Sequence, residues 1–392
     1  MRKLALLFLF CGMALTAIAR SEPQTEKVTV EQLERMVAAA QRRPDAKIEQ
    51  RLTGLELSER LSSARLARLQ AQLPGVHAQR ALLALADASE FLQLPSADIP
   101  GTPAPDPAAQ ASLFALTRDY VEKSLPSLPN FFATRDTIHF MDLPSKPSRA
   151  SGQAVQYQPL HEAGISSVTV LFRDGKEVVD AGEAMKRHPS RSGQELTTEG
   201  VFGPALELIL ADVLQPSLAW SHWERGADGT MAVFDYSVPL QNSHYKLVIP
   251  ADTGQIYPFT GYHGQIGVDP ADGAVLRLTL VADLKPTGPI AKAEILVEYG
   301  SVEIGGKTYI CPLRSVAVSL ARPLDPMHDF YGFQRDDQGP WQLELNDVVF
   351  RQYHLFRSEL RILSGDSGNP PQLSTPASTD GSGPALPSAP KH

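Results

Sequence analysis

The sequence predicts an α+β fold in which a short helical region precedes a larger antiparallel β region. Three observations carry that reading. Residues 28–94 space their apolar side chains at helical intervals between Pro and Gly breaks. From about residue 155 the pattern turns to short apolar or alternating runs, punctuated by Asp174-Gly175, Asp228-Gly229, Thr253-Gly254, Asp272-Gly273 and Gly305-Gly306. Each of these pairs supplies a residue that tolerates positive φ, as tight hairpins require. Finally, one segment within the β region, about 204–214, is apolar nearly all round at Ala205, Leu206, Leu208, Ile209, Leu210, Val213 and Leu214. Such a helix belongs buried against a sheet.

The helical region opens with a capping box, Thr29 and Gln32, flanked by Val28 and Leu33 at the positions of a hydrophobic staple. Leu33, Met36, Val37 and Ala40 share one face, and Pro44 stops that helix. Asp45 stands where it would cap the next helix, which Gly54 ends. Leu55, Leu57, Leu61, Leu66, Leu69 and Leu73 continue an apolar stripe to Pro74-Gly75, and a last helix runs from Val76 to Leu92. Helices this short need partners to stay folded. Packing on one another or on a neighbour explains their stripes more simply than a protein-binding array does.

Residues 95–106 read as a Pro-rich linker. Asp106 then caps a helix over 107–125 that has Pro107 at its first position and Leu113, Leu116, Tyr120 and Val121 on its apolar face. Phe131–Met141 follows as a long strand, and Pro144–Gln153 is a second Pro/Ser-rich loop. The strand runs of the β region are Ser167–Phe172, Met231–Val238, Tyr245–Ile249, Ala274–Val281, Ala293–Tyr299, Lys307–Cys311, Val316–Leu320, Leu343–Phe350 and Ser358–Leu363. Hairpin turns make successive runs antiparallel neighbours, so the helix-plus-sheet domain spans 107–363 as a meander. Residues 364–392 are rich in Ser, Pro, Gly and Ala, lack aromatic residues and read as a disordered tail.

The first 19 residues have the layout of a secretory signal peptide. Arg2 and Lys3 precede the apolar run Leu4–Leu15, and Ala17-Ile18-Ala19 forms the cleavage box. The run is shorter than the roughly 20 residues a membrane-spanning helix takes. Phe10 before Cys11 argues against lipid attachment there. The chain is therefore expected to be exported, to the periplasm or the extracellular space. Cleavage would remove Arg2 and Lys3, taking the net charge from −8 to −10. That balance disfavours nucleic acid and anionic membrane surfaces as partners. Cys311 would then be the sole cysteine, which leaves no intramolecular disulfide. No further stretch is apolar for long enough to span a membrane, and the oligomeric state is not legible.

Motifs for chemistry are sparse. No G-x-S-x-G, G-x-G-x-x-G or Walker pattern occurs, and no cofactor is implied. Cys311, between a strand and Pro312, reads as a buried thiol rather than a nucleophile. His222 and Glu224 lie two apart and would face one side of a strand, where His244 and His263 could join them as a zinc-type set. Asp336-Asp337 and Glu344 read as a solvated turn and strand rather than paired catalytic carboxylates. The β region also gathers Trp220, Trp223, Phe234, Tyr236, Tyr245, Phe259, Tyr262, Tyr299 and Tyr309. These either fill a core or wall a site for an apolar ligand, with Trp220, Trp223, Phe234 and Tyr236 as the wall candidates.

The hairpin Gly264–Arg277, continued through Val297–Gly300 and Val302–Pro312, resembles the repeated hairpin layout of the outer-membrane lipoprotein-sorting and carrier superfamily. The helix 107–125 with strand 131–141 resembles that superfamily's opening, and Val348–Tyr353 one of its late strands. The whole chain, including Glu199–Pro204 and Trp220–Glu224, is also similar to a group of uncharacterised secreted bacterial proteins. The carrier resemblance implies a curved, half-barrel-like antiparallel sheet wrapped round one or two helices, with room for acyl chains. The expected function is then non-enzymatic binding of a lipid, a lipidated protein or another apolar ligand. An envelope interaction or scaffold module, and an enzyme with an unrecognised metal site, are the alternatives.

Overall fold

In the computed structural model the described residues are 25–40, 42–142, 158–179, 204–213, 218–226, 229–247, 249–251, 254–256, 259–285, 290–321 and 341–356. The expected signal peptide, the loop 144–153, the run Ser358–Leu363 and the tail 364–392 lie outside them. All described residues fall within one compact unit, residues 1–356.

The helical region contains α1 (Val30–Ala40), α2 (Asp45–Leu52), α3 (Ser63–Gln70) and α4 (Val76–Ala88). Its capping box forms as read: Thr29 N–H donates to Gln32 Oε1 at 2.7 Å, and Gln32 N–H to Thr29 Oγ1 at 3.2 Å. The amphipathic faces bury Leu33, Val37, Ile48, Leu52, Leu66, Leu69, Leu82 and Leu85 in a core of their own. Two expectations change. Leu55 and Leu57 are not on a helix. They belong to β2 (Leu55–Leu57), which pairs in parallel with β1 (Glu26–Val28). Leu-Glu-Leu alternates buried, exposed, buried, a strand period that a helical stripe cannot share. Asp45 does not cap its own helix either. Its carboxylate accepts from His77 N–H at 3.2 Å and Ala78 N–H at 3.0 Å, and so caps α4 across the region. Gly75 makes room for it, since a Cβ there would collide with the Asp45 carboxylate.

After the linker, α5 (Pro107–Ser124) starts as expected, with Ala109 N–H donating to Asp106 Oδ1 at 2.8 Å. The strands are β3 (Phe131–Met141), β4 (His161–Arg173), β5 (Lys176–Val179), β6 (Ala219–Arg225), β7 (Thr230–Val238), β8 (Ile249–Ala251), β9 (Gly254–Ile256), β10 (Tyr262–Val268), β11 (Val275–Ala282), β12 (Ile290–Ile304), β13 (Lys307–Ala321) and β14 (Gln342–Leu355), with α6 (Pro204–Val213) between β5 and β6. Ten of them form one open, curved antiparallel sheet in the order β5-β4-β3-β14-β13-β12-β11-β10-β7-β6, while β8 and β9 form a separate hairpin. Asp174-Gly175, Asp272-Gly273 and Gly305-Gly306 fall at the hairpins β4/β5, β10/β11 and β12/β13, while Asp228 and Thr253 lie outside the described residues, between the paired strands β6/β7 and β8/β9. At the longest of these, Gly305 and Gly306 take φ +61° and +81°, which the mirror-image turns of twisted hairpins demand.

Two strand readings need correction. Tyr245–Ile249 is not a strand: Lys246 makes only an isolated bridge to Phe259, and β8 begins at Ile249. One local and one distant bond hold that stretch in competition with a ladder: Tyr245 N–H donates to Ser243 Oγ at 3.0 Å, and His244 N–H to Asp212 Oδ2 of α6 at 3.0 Å. Lys307–Cys311 and Val316–Leu320 are one strand. Pro312 sits inside it opposite Tyr299, at a register shift that absorbs its missing N–H.

Alternation gives the sheet two different faces. The inner face carries Phe131, Phe172, Phe234, Ile266, Leu278, Val297 and Phe350, packed with Val121 of α5 and with Leu206 and Ile209 of α6. The sheet thus wraps round two helices, as the resemblance implied. The outer face offers Phe140, Leu296, Val316, Val318 and Leu345 to Ala84 of α4, which is how the helical region seats on the sheet.

Candidate functional site

The four wall candidates come together at one end of the inner face. Trp220 and Trp223 are three apart on β6. They share a side because the register slips between Trp220 and His222, inserting Ser221 as a bulge. Their ring centroids are 4.9 Å apart in an edge-to-face arrangement, and Trp220 meets Phe234 of β7 in the same way at 5.5 Å. Trp223 Nε1–H donates to the Pro103 carbonyl at 2.9 Å, so the Pro-rich linker runs beside this edge of the sheet. Phe234 and Tyr236 are buried in the core, whereas Trp220 and Trp223 are only half-buried.

Tyr236 reaches across Gly264 to donate its hydroxyl to the Thr279 carbonyl at 2.6 Å. Gly264 faces Tyr236 in the ladder, and a Cβ there would collide with that carbonyl. Tyr262 packs against Tyr236 at 5.9 Å and Tyr245 at 5.6 Å. Burial pushes the Tyr245 phenol up to about 12 and Tyr236 well above its ordinary value, so both hydroxyls stay protonated, and that of Tyr236 is a neutral donor. Tyr262 is raised by burial and by the Asp212 carboxylate, to which it donates at 2.8 Å. Asp212, on α6, has a fully buried side chain, and its other oxygen lies 2.5 Å from Nδ1 of the exposed His244. This network ties α6 to β10 and fixes the His244 ring.

The proposed zinc set is not assembled. His222 Nε2 and Glu224 Oε2 are adjacent at 3.3 Å, but His244 is held by Asp212, and His263 Nδ1 pairs with Asp283 Oδ1 at 2.8 Å. Three different carboxylates therefore take the histidines. Among the described residues no group of three or more His, Cys, Asp or Glu side chains is placed to hold a metal ion. Cys311 is buried, and burial pushes its thiol up to about 12, which keeps it a thiol rather than a nucleophilic thiolate.

A second constellation lies on the outer face, where the helical region docks. Arg314 of β13 reaches four carboxylates: Asp347 Oδ1 at 2.9 Å from Nε, Glu90 Oε1 at 3.3 Å and Glu298 Oε2 at 3.4 Å from Nη1, and Asp87 from Nη2. Arg277 Nη2 donates to the Glu90 carbonyl at 3.1 Å and to its Oε2 at 3.2 Å. At the flank, Arg60 Nη2 donates to Glu224 Oε2 at 2.5 Å. Burial raises Asp87 well above the usual carboxylate range and lifts Glu90 to about 7, against the pull of Arg314. Asp347 is raised for the same reason. Burial alone would raise Glu224 as well, but the bond from His222 and the charge of Arg60 hold it below its ordinary value.

Sequence reasoning missed this cluster. Its trace was partly there to read: Arg277, Glu298 and Asp347 are charges set inside strand runs, while Arg314 stands in the gap left between Lys307–Cys311 and Val316–Leu320, and all four fall on one alternation phase of the observed strands. Asp212 carried no comparable signal, being one acid on an apolar helix whose partners lie 32 and 50 residues away. The chain matches no family model, no curated protein and no solved structure.

Proposed function

We propose that this chain is an exported, non-enzymatic binding protein that holds an apolar ligand, the acyl chain of a lipid or of a lipidated protein, against the inner face of its sheet. The observation that carries the reading is the half-buried Trp220–Trp223 pair where the sheet ends at β6, with Trp220 edge-to-face against Phe234. Elsewhere on the inner face, Val121 of α5 and Leu206 and Ile209 of α6 pack on the apolar side chains. At the β6 end two large aromatic side chains keep part of their surface in water. Covering that surface with a ligand is worth about 25 cal/mol per Å² of apolar area removed from water.

The sheet order supports the same reading. An open, curved antiparallel sheet with helices on its inner side places the Trp pair at an edge, where a chain can enter without parting ladder hydrogen bonds. The resemblance to the lipoprotein-sorting and carrier superfamily supports it on independent grounds.

The test is energy transfer to cis-parinaric acid, a fluorescent fatty acid. The reading expects saturable transfer from tryptophan in the wild-type protein and weaker binding of the acid by a Trp220→Ala/Trp223→Ala variant, measured by the acid's own fluorescence. Equal binding by wild type and variant would place the ligand elsewhere, and no saturable binding would end the reading.

A further inference from the structure

The joint between the helical region and the sheet is built in an unusual way. The region has a hydrophobic core of its own, made by α1 to α4, β1 and β2. The apolar patch by which it sits on the outer face sets Ala84, with partly buried Leu83 and Phe91 beside it, against Phe140, Leu296, Val316, Val318 and Leu345. Beside that patch lies the ionic cluster, and its charges do not balance. Three guanidinium groups, Arg60, Arg277 and Arg314, face five carboxylates, Asp87, Glu90, Glu224, Glu298 and Asp347. Asp87 is fully buried and its Oδ2 has no hydrogen-bond partner.

Every packed element contributes. From the helical region come Asp87 at the end of α4, Glu90 in the turn after it, Arg60 after β2, and Ser63 of α3, whose hydroxyl lies 3.5 Å from Glu298 Oε1. From the sheet come His222 and Glu224 of β6, Arg277 of β11, Glu298 of β12, Arg314 of β13 and Asp347 of β14. Arg80 of α4 pairs separately with Glu162 of β4. An excess of buried negative charge with an orphaned carboxylate oxygen is costly, and a proton on a carboxyl relieves both faults.

We propose that the helical region is held by a proton-linked clasp: the carboxylates gathered on Arg314 bind a proton when α4 docks, so the region is secured at mildly acid pH and loosened above neutrality. The upward displacement of Asp87, Glu90 and Asp347 by burial agrees with this. The sign follows from linkage. Between the ordinary carboxylate range and the docked values, the docked state binds more protons than the undocked one, so docking weakens as pH rises through that window. Glu224, held low, opposes this only at pH values below its ordinary range.

The experiment is hydrogen exchange on the full chain, with α4 amides compared against α5 amides and corrected for intrinsic chemistry. From about pH 5.5 to about pH 8.5, α4 exchange should rise at least about tenfold relative to α5, because each unit of pKa displacement is a factor of ten in the docking constant. An Asp87→Asn/Glu90→Gln variant, which fixes the protonated shape, should flatten that rise. A flat wild-type profile, or a variant that keeps the wild-type slope, would overturn the clasp. If the variant does not fold, infrared spectra of the wild type decide. A protonated-carboxyl C=O band that fades across the same interval supports the clasp, and its absence at the acid end refutes it. Neither readout depends on the inner face binding a ligand.

Discussion

Arg314 of β13 and Asp87 of α4 form an ion pair across 227 residues of sequence, with the aspartate side chain fully buried. A charge-assisted bond in such surroundings is stronger than one on the surface, and a partner left alone there is correspondingly expensive. Replacing Arg314 by Met would take the guanidinium partner from Asp87 and Asp347 and leave Glu90 with Arg277 alone. The variant should lose about 3–5 kcal/mol of stability, the usual cost of breaking a buried pair from one side. Arg314→Lys should also destabilise, because a single ammonium nitrogen cannot replace the three guanidinium nitrogens that reach four carboxylates. Urea unfolding measures both.

The Asp45–Gly75 pairing predicts a localised defect. Asp45→Ala removes the cap from α4 and should cost about 0.5–2 kcal/mol, the range for a lost cap. Gly75→Ala should cost at least as much, because its Cβ and the Asp45 carboxylate compete for one space. The double variant Asp45→Ala/Gly75→Ala should be less destabilised than the sum of the two. Strict additivity in a double-mutant cycle would contradict the coupling.

At Gly264 any side chain meets the Thr279 carbonyl and the Tyr236 hydroxyl that bonds to it. Gly264→Val should therefore disturb the β10/β11 ladder and destabilise by about 1–3 kcal/mol, as overpacking does. Tyr236→Phe removes only the hydroxyl and should cost about 1 kcal/mol. Thermal unfolding of both variants against wild type gives the ranking, with Gly264→Val the lower in Tm.

Cys311 supplies a chemical check on burial. Its thiol, pushed up to about 12 by its apolar surroundings, should react with a maleimide only as fast as the protein opens. Labelling should be slow in native buffer and complete in denaturant. Rapid native labelling would show the β13 interior to be accessible.

The fold was largely legible because its signals are local. Capping at Thr29 and Asp106, the five turn pairs and the strand runs each act over a few residues. Where reading failed, a distant partner decided the outcome. Asp45 caps α4 instead of α2, Leu55 and Leu57 pair with β1, and His244 is drawn to Asp212 instead of the strand phase of its neighbours. The Trp and Tyr wall could be named from composition, yet which aromatic residues are covered depends on where α5 and α6 fall across the sheet. The ionic cluster is assembled from residues as far apart as Arg60 and Asp347, and only the docking of the helical region and the order of strands in the sheet bring them together.

The measurement that bears most directly on inner-face binding is mass spectrometry of organic extracts from the full chain, expressed in a bacterial host and purified without detergent. The proposal predicts a stoichiometric lipid or acyl species in the wild-type extract that falls in the Trp220→Ala/Trp223→Ala variant. Extracts free of lipid, beside a carrier control that retains its own, would contradict it and turn attention to the helical region as a protein-binding module.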